Sequence, residues 1–565
     1  MHKGKKRALA WWIAAAMTAA MMLAVLAFAD VRFGTNDDAP ILRAFMGYEA
    51  GTPAKIHMYI HGLLAVPLGW LGRMAPHVPW YSWMQLSLMA LALTVIGKSL
   101  MQLFIMHGKP LWLGALFALA VHAGFGVEYT AVFTFTQTAA FLGAAAVLQL
   151  MSTDCSNGKT IVLSHAGAAV LCALAYALRQ SALLPVLAFC ALAFIGLVWK
   201  HRPAVKPVLA SLCAVVVILG GVFGWRQAEL NAPSMRDYLD WHDANGYIID
   251  YYGLGALTQE EIDLAGWSDE TLALGYEWCF LDSDLDAESF RRVTEALEQK
   301  EQPPLTERLR EAKRLFIKRA SGSQYEYRML LGAAGLAMLG CAAGMLLARG
   351  KRLRLLFTLC ALAAGSGLMI LYLAMQGRVP LRAVLVIALP AVCMLLGLLP
   401  EGRIPTAALC VLAALMIGIS AMHLDDVKGL LWKDIRGASA ADTAFTDAES
   451  CALLHPEALF ILHGGVSGDL NAFPDYTNGM PHNVTFWGHW GMRSPENAAL
   501  FERFGIDIWR FDPAHLLRDD VFFVVPDGAG PGVLLDWLQA KIGPQVRWEA
   551  VQTHGRVSIL RFLAE

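Results

Sequence analysis

Long unbroken apolar runs dominate the first 224 positions of the chain and return between 327 and 422. Their apolar positions continue all round, as in segments buried in lipid or protein, and not on one stripe as in an amphipathic surface helix. At the roughly 20 residues a helix needs to cross hydrocarbon, they predict spans over Ala8–Ala29 and approximately 81–104, 111–127, 129–150, 160–178, 182–199, 205–224, 327–348, 354–374, 380–399 and 404–422. The stretch Ile56–Ala75 is ambiguous, because it is apolar enough to span yet carries His57, His61, Pro67 and Arg73. Counted as a span, it makes twelve and leaves the C-terminal region inside; laid in the outer interface, it leaves eleven.

Charge decides between these. With eleven spans, the inside connections hold Lys98 and Lys109, Lys159, Lys200-His201-Arg202 with Lys206, Arg349-Lys351-Arg352-Arg354, and Arg403. Every inside loop is then basic, as cytoplasmic loops are. Counting Ile56–Ala75 as a span puts these later clusters outside. The N-terminal Lys3, Lys5, Lys6 and Arg7 place that end in the cytoplasm. Ala27-Phe28-Ala29 resembles a leader cleavage site, but about 22 apolar residues suit an uncleaved span better. In either case the next loop is outside.

Two polar regions interrupt the apolar pattern. Residues 225–326 carry helical signals: Thr306 before Glu307 reads as a cap, and Leu305, Leu309, Ala312, Leu315 and Phe316 recur at helical spacing. In 423–565, Ala458–Leu462 and Val521–Val525 read as buried strands, and Ser494-Pro495 opens a helix through Phe504. Val546–Gln552 and Val557–Phe562 read as a hairpin across Thr553-His554-Gly555-Arg556. The expected fold is an all-α polytopic membrane protein of about eleven spans and a juxtamembrane helix, with a small extracytoplasmic α/β C-terminal domain. Its units are a transmembrane module 1–224 containing the first outer loop 30–80, a helical loop 225–326, spans 327–422, and the domain 423–565.

Composition agrees with this class: of 565 residues 56% are hydrophobic and 16% charged, and the mean hydropathy is +0.47. A net charge of −2 gives no reason to expect nucleic acid. Ten cysteines form no CxxC pair, and Cys172, Cys190, Cys213, Cys341 and Cys393 lie in apolar runs as small hydrophobes. Cys279 and Cys451, in the two polar regions, are the one pair that an oxidising compartment would allow to join.

The candidate chemistry lies at the outer ends of the spans. The first outer loop contains Thr35-Asn36-Asp37-Asp38, then Arg43, His57 and His61; Glu128 follows at the next outer turn. Arg179 and Gln180 follow the span ending at Leu178, and Gln376-Gly377-Arg378-Val379-Pro380-Leu381-Arg382 opens a later one. A lone arginine there snorkels to headgroups. Several, on the face that the charge bias empties of basic residues, suit an anionic ligand, because guanidinium groups hold phosphate oxygens in a fixed fork.

This layout resembles the GT-C superfamily of integral-membrane glycosyltransferases, which take sugars from polyprenyl-linked donors on the non-cytoplasmic side. The resemblance rests on Asn36-Asp37-Asp38 in a long first outer loop, the helix in Ile56–Ala75 leading to Pro79-Trp80-Tyr81, the acid in Gly126-Val127-Glu128-Tyr129, and the extracytoplasmic C-terminal domain. It implies a catalytic base at Asp37 or Asp38, with a slight preference for Asp37, and a helper or cation ligand at Glu128. Arg179, Arg378 and Arg382 are then phosphate holders, with Arg43, His57, His61 and Gln180 as further substrate-binding candidates. Some relatives bind magnesium or manganese with such acids; here Asp37, Asp38 and Glu128 would be the ligands, and the three arginines make a metal less necessary. The chain lacks the WWD-type signature of the oligosaccharyl branch. The implied partners are a polyprenyl-linked sugar donor, the bilayer of the cytoplasmic membrane, and an extracytoplasmic glycan, lipid or protein acceptor.

Two other classes compete. A transporter or lipid flippase would carry polar residues at mid-membrane depth, for which Gln137, Thr134, Thr136, Thr138 and Ser164 are mild candidates. A non-catalytic scaffold would tolerate the loss of both aspartates. The aromatic group Tyr476, Trp487, His489 and Trp490 could stack on sugar rings, although packing of a small domain explains it more simply. Asn483-Val484-Thr485 matches a glycosylation acceptor as chance matches do.

Overall fold

The apolar runs become helices because a chain without water must satisfy its backbone internally. A computed structural model of the protein describes residues 3–200, 205–300, 303–321, 325–347, 352–402, 404–432, 440–466, 470–477, 479–488 and 490–564. His201, Arg202, Arg349, Lys351, Arg403 and His489 lie outside the described residues. Among the described residues ten helices are long and apolar enough to cross a membrane, as in a multi-pass membrane protein.

In chain order the helices are α1 (Lys3–Phe28), the short α2 (Asp38–Met46) and α3 (Gly62–Met74), α4 (Trp80–Met106), α5 (Leu111–Ala131), α6 (Phe135–Met151), α7 (Gly158–Leu178), α8 (Leu183–Lys200) and α9 (Val205–Leu230). A second group comprises α10 (Pro233–Tyr247), α11 (Tyr325–Leu347), α12 (Arg352–Met375), α13 (Leu381–Leu398) and α14 (Thr406–Asp426). The bundle centre is α6, a 17-residue helix buried almost all round and packed on α4, α7 and α13. The doubtful stretch Ile56–Ala75 holds only the 13-residue α3, about 20 Å long. It leaves Val66, Trp70 and Met74 exposed.

The boundary expected at Glu128 is corrected. No turn falls there: α5 passes through a π-helical turn at His122–Gly126 and ends at Ala131, so Glu128 sits in its last turns. Val132–Phe133 (β2) then pairs in parallel with Arg32–Phe33 (β1), tying the segment after α1 to the start of α6. An acid in an apolar run mimics a loop. Here it instead pairs with His423 of α14, at 2.7 Å. Lys98, expected in a connection, is likewise buried inside α4.

Basic residues gather at the end of the bundle opposite the first outer loop. Lys200 and His107 approach Glu401 at 3.4 and 3.7 Å, Arg354 joins the same carboxylate, and Arg7 pairs with Asp154 at 2.5 Å.

The C-terminal region carries α15 (Ala440–Leu454), α16 (Pro495–Arg503) and strands β3 (Leu459–Leu462), β4 (Val484–Phe486), β5 (Val521–Pro526), β6 (Val546–His554) and β7 (Val557–Ala564). The sheet order is β4-β3-β5-β7-β6, parallel across β4, β3 and β5 and antiparallel beyond. Ser494 caps α16, and the hairpin turns as expected. The sequence expectation of Thr306 as a cap is corrected: the helix begins at Leu305, after Pro304, with Thr306 inside it. Asn483 is buried and donates to the carbonyls of Ala452, His455 and Ala458, so its amide is a structural tie.

The two polar regions share one core. Trp241 and Phe280 from the first pack in the same cluster as Trp487, Phe523 and Trp537 from the second. Asp282 accepts from the Trp537 indole at 2.7 Å, and the buried Arg493 donates to the carbonyls of Phe280 and Asp282. Cys279 and Cys451 are both free thiols in different clusters, which removes the disulfide considered above.

Candidate functional site

A cavity of about 410 Å³ opens where α8, α12 and α13 meet the segment 30–80 and the helical region after α9. Its lining includes Asp37, Arg179, Arg378 and Arg382, drawn from three separate parts of the chain. Leu373, Val386 and Ile387 give the lining an apolar part on the bundle side, and Tyr59, His242 and Trp490 also line it. A polar mouth on an apolar wall is the shape an amphiphile's headgroup requires.

Local sequence explains how each charge arrives. The helix α12 ends where Gly377 adopts φ 75°, a left-handed turn that glycine takes without strain, and Pro380 then starts α13. The turn holds Arg378 and Arg382 on one side. Arg382 meets Asp37 at 3.0 Å, and Arg378 meets Asp250 at 2.8 Å. Arg179 follows α7, its guanidinium 5.6 and 5.3 Å from the rings of Tyr59 and Phe135, with Nε donating to Ser181 at 3.0 Å. No carboxylate among the described residues lies within 4 Å of it.

The two adjacent acids differ completely. Asp37 precedes α2 in helical conformation without a side-chain cap bond, and remains partly exposed at the cavity. Asp38 is fully buried, with Oδ1 accepting from Tyr81 Oη (2.9 Å), Gln85 Nε2 (2.8 Å) and the Phe135 amide (3.1 Å). Burial pushes its carboxyl up to about 7 despite those donors. Asp38 anchors α2 to α4 and α6 and does not line the cavity.

The remaining candidates have other partners. Arg43 stacks 4.2 Å from the Phe486 ring and lies 3.5 Å from Glu49, joining the first outer loop to the C-terminal sheet. His57 accepts the Tyr59 amide at Nδ1 (3.1 Å), and burial, with Arg226 nearby, pulls it down to about 3, so it is neutral. His61 caps α3 by accepting from Leu63. Glu128 faces His423 inside the bundle. Gln180 lines an adjoining cleft of about 550 Å³ and, with its amide oxygen turned inward, accepts from Arg226.

Two residues beside the cavity are not among the sequence expectations. Asp250, partner of Arg378, sits in a polar region with no distinguishing pattern. Arg226 is fully buried and clamps the loop at the carbonyls of His57, Met58 and Ile60. Like Arg179, Arg226 is a basic residue just past a predicted span, at the end that the charge pattern assigns to the outside. Of the aromatic group, Trp490 lines the cavity, Trp487 is buried in the core, and Tyr476 donates to Glu449 on α15.

The donor set does not suit a hard cation. Asp37 and Asp250 each face an arginine, Asp38 is enclosed by hydrogen-bond donors, and Glu128 is elsewhere. What the cavity offers an anion is three guanidinium groups, beside two accessible carboxylates, Asp37 and Asp250. No protein-family model matches the chain, and no curated protein matches it in sequence.

Proposed function

We propose that the protein is a membrane glycosyltransferase of GT-C type, moving a sugar from a polyprenyl phosphate or diphosphate to an extracytoplasmic acceptor. One observation carries the reading: Asp37 shares a cavity with Arg179, Arg378 and Arg382, against an apolar wall. The prenyl chain runs along Leu373, Val386 and Ile387, and the phosphate sits among the arginines. Its charge competes with Asp37 for Arg382, which frees the carboxylate as the donor binds.

The acceptor hydroxyl then gives its proton to Asp37 and its oxygen bonds to the anomeric carbon. The bond from that carbon to the phosphate oxygen breaks, and its electron pair leaves on the phosphate. Fixed guanidinium groups stabilise that developing charge. The cavity faces the outside of the cytoplasmic membrane in this reading, and the basic end faces the cytoplasm.

The test is reconstitution in liposomes with a panel of polyprenyl-phosphate sugars and of glycan, lipid and protein acceptors, following release of polyprenyl phosphate. Asp37→Asn is expected to bind donor and release none. A protein that moves the intact lipid across the bilayer, with Asp37→Asn unimpaired, is a flippase and ends the proposal.

A further inference from the structure

At the end of the bundle opposite Asp37, a second cavity of about 410 Å³ opens between α1, α4, α6 and α7. Lys98 projects into it from α4. Eight residues short of the end of that helix, it lies about 12 Å inside. Its side chain is almost fully buried, donates to Gln149 Oε1 and lies 5.1 Å from the Trp11 ring. Gln149 is itself oriented by donating to Ser164 at 3.2 Å. No carboxylate among the described residues lies within 4 Å of the ammonium; the nearby Asp154 is paired with Arg7.

An ammonium has three donors, and a neutral amide satisfies one. A cation buried in an apolar segment without a counter-charge is costly, so such residues mark functional sites. The same cavity is walled by Trp11 and Leu163, whose side chains are 44% and 74% exposed on the bundle's flank. The cavity therefore joins a buried ammonium to apolar side chains exposed on the bundle's flank.

We infer that this cavity binds the phosphate diester of an acidic phospholipid from the leaflet opposite the Asp37 cavity, with Lys98 as the charge partner and Trp11 and Leu163 against the chains. The site is independent of the catalytic reading.

Spin-labelled phosphatidylglycerol and phosphatidylcholine in proteoliposomes test it. Wild type should hold the acidic lipid about fivefold more strongly, the factor expected for one lysine at a membrane surface. Lys98→Gln should reduce the preference to near unity, Lys98→Arg should keep it, and Lys159→Gln, an exposed lysine on the same end, should leave it unchanged. If Lys98→Gln is not recovered folded, native mass spectrometry of wild type should show a retained acidic phospholipid that phosphatidylcholine does not displace. Equal preference in wild type and Lys98→Gln overturns the inference, as does displacement of the labelled lipid by millimolar inorganic phosphate, which assigns the site to free phosphate.

Discussion

Asp37 and Arg382 lie 3.0 Å apart across the cavity, the acid at the start of α2 and the guanidinium in the first turn of α13. In the reaction we propose, the acid that accepts the proton is thus held by the cation that holds phosphate. That proposal links donor binding and base activation through competition for one side chain.

Asp37→Asn should lower transfer by about a hundredfold or more, the usual worth of a positioned general base, with donor binding retained. Asp38→Asn should keep most activity, because Asn can still accept from Tyr81, Gln85 and the Phe135 amide. Parallel turnover and donor-binding assays separate the two; equal losses at both positions would remove the distinction between them.

Each arginine tests the phosphate site. Loss of one charge-assisted bond is worth about 1.5–3 kcal/mol, so Arg378→Gln and Arg179→Gln should each raise the donor KM by about tenfold or more. Arg382→Lys should recover less than its charge suggests, because the ammonium lacks the fork. A donor KM unchanged in all three variants would place the phosphate elsewhere.

Asp38 sets a pH dependence. Its folded carboxyl titrates at about 7, above the ordinary aspartate value, so the folded state binds the proton more tightly than the unfolded one. That stabilisation is complete below about pH 4 and is lost as pH rises through 7, on the order of 4 kcal/mol across the range. Thermal unfolding in detergent should show Asp38→Asn gaining on wild type between pH 5 and 8; parallel curves would show that Asp38 is ionised throughout.

The junction of the first outer loop with the C-terminal sheet depends on Arg43. Arg43→Ala leaves Glu49 buried without its partner and should cost about 3 kcal/mol, seen as faster proteolysis of the C-terminal region. Adding Glu49→Gln should recover part of that loss.

Glu128→Gln separates structure from chemistry. Glu128 pairs with His423 inside the bundle, so the variant should lower thermal stability with turnover per folded molecule nearly unchanged. A loss of turnover matching that of Asp37→Asn would restore Glu128 to the reaction.

Much of the bundle was legible because apolar runs are local features. The errors arose where one charge sat in such a run: Glu128 reads as a turn and Lys98 as a loop until the helices packed against them are known. The choice between Asp37 and Asp38 depends on which way α2 turns on α4, which neighbouring letters do not encode. The shared core of Trp241, Phe280, Trp487 and Trp537 joins segments hundreds of positions apart and leaves no local trace. Arg179, Arg378 and Arg382 were legible because a rule about loop charge makes them exceptions.

Strand β7 is the last of its sheet to be synthesised, yet it lies between β5 and β6. Until Val557–Ala564 is inserted, β5 has an open edge and β6 has no neighbour. The sheet of the region that brings Trp490 to the cavity is therefore completed only after all the candidate spans have been made, so a chain cut before Val557 should leave the helical bundle with this wall of the cavity unformed.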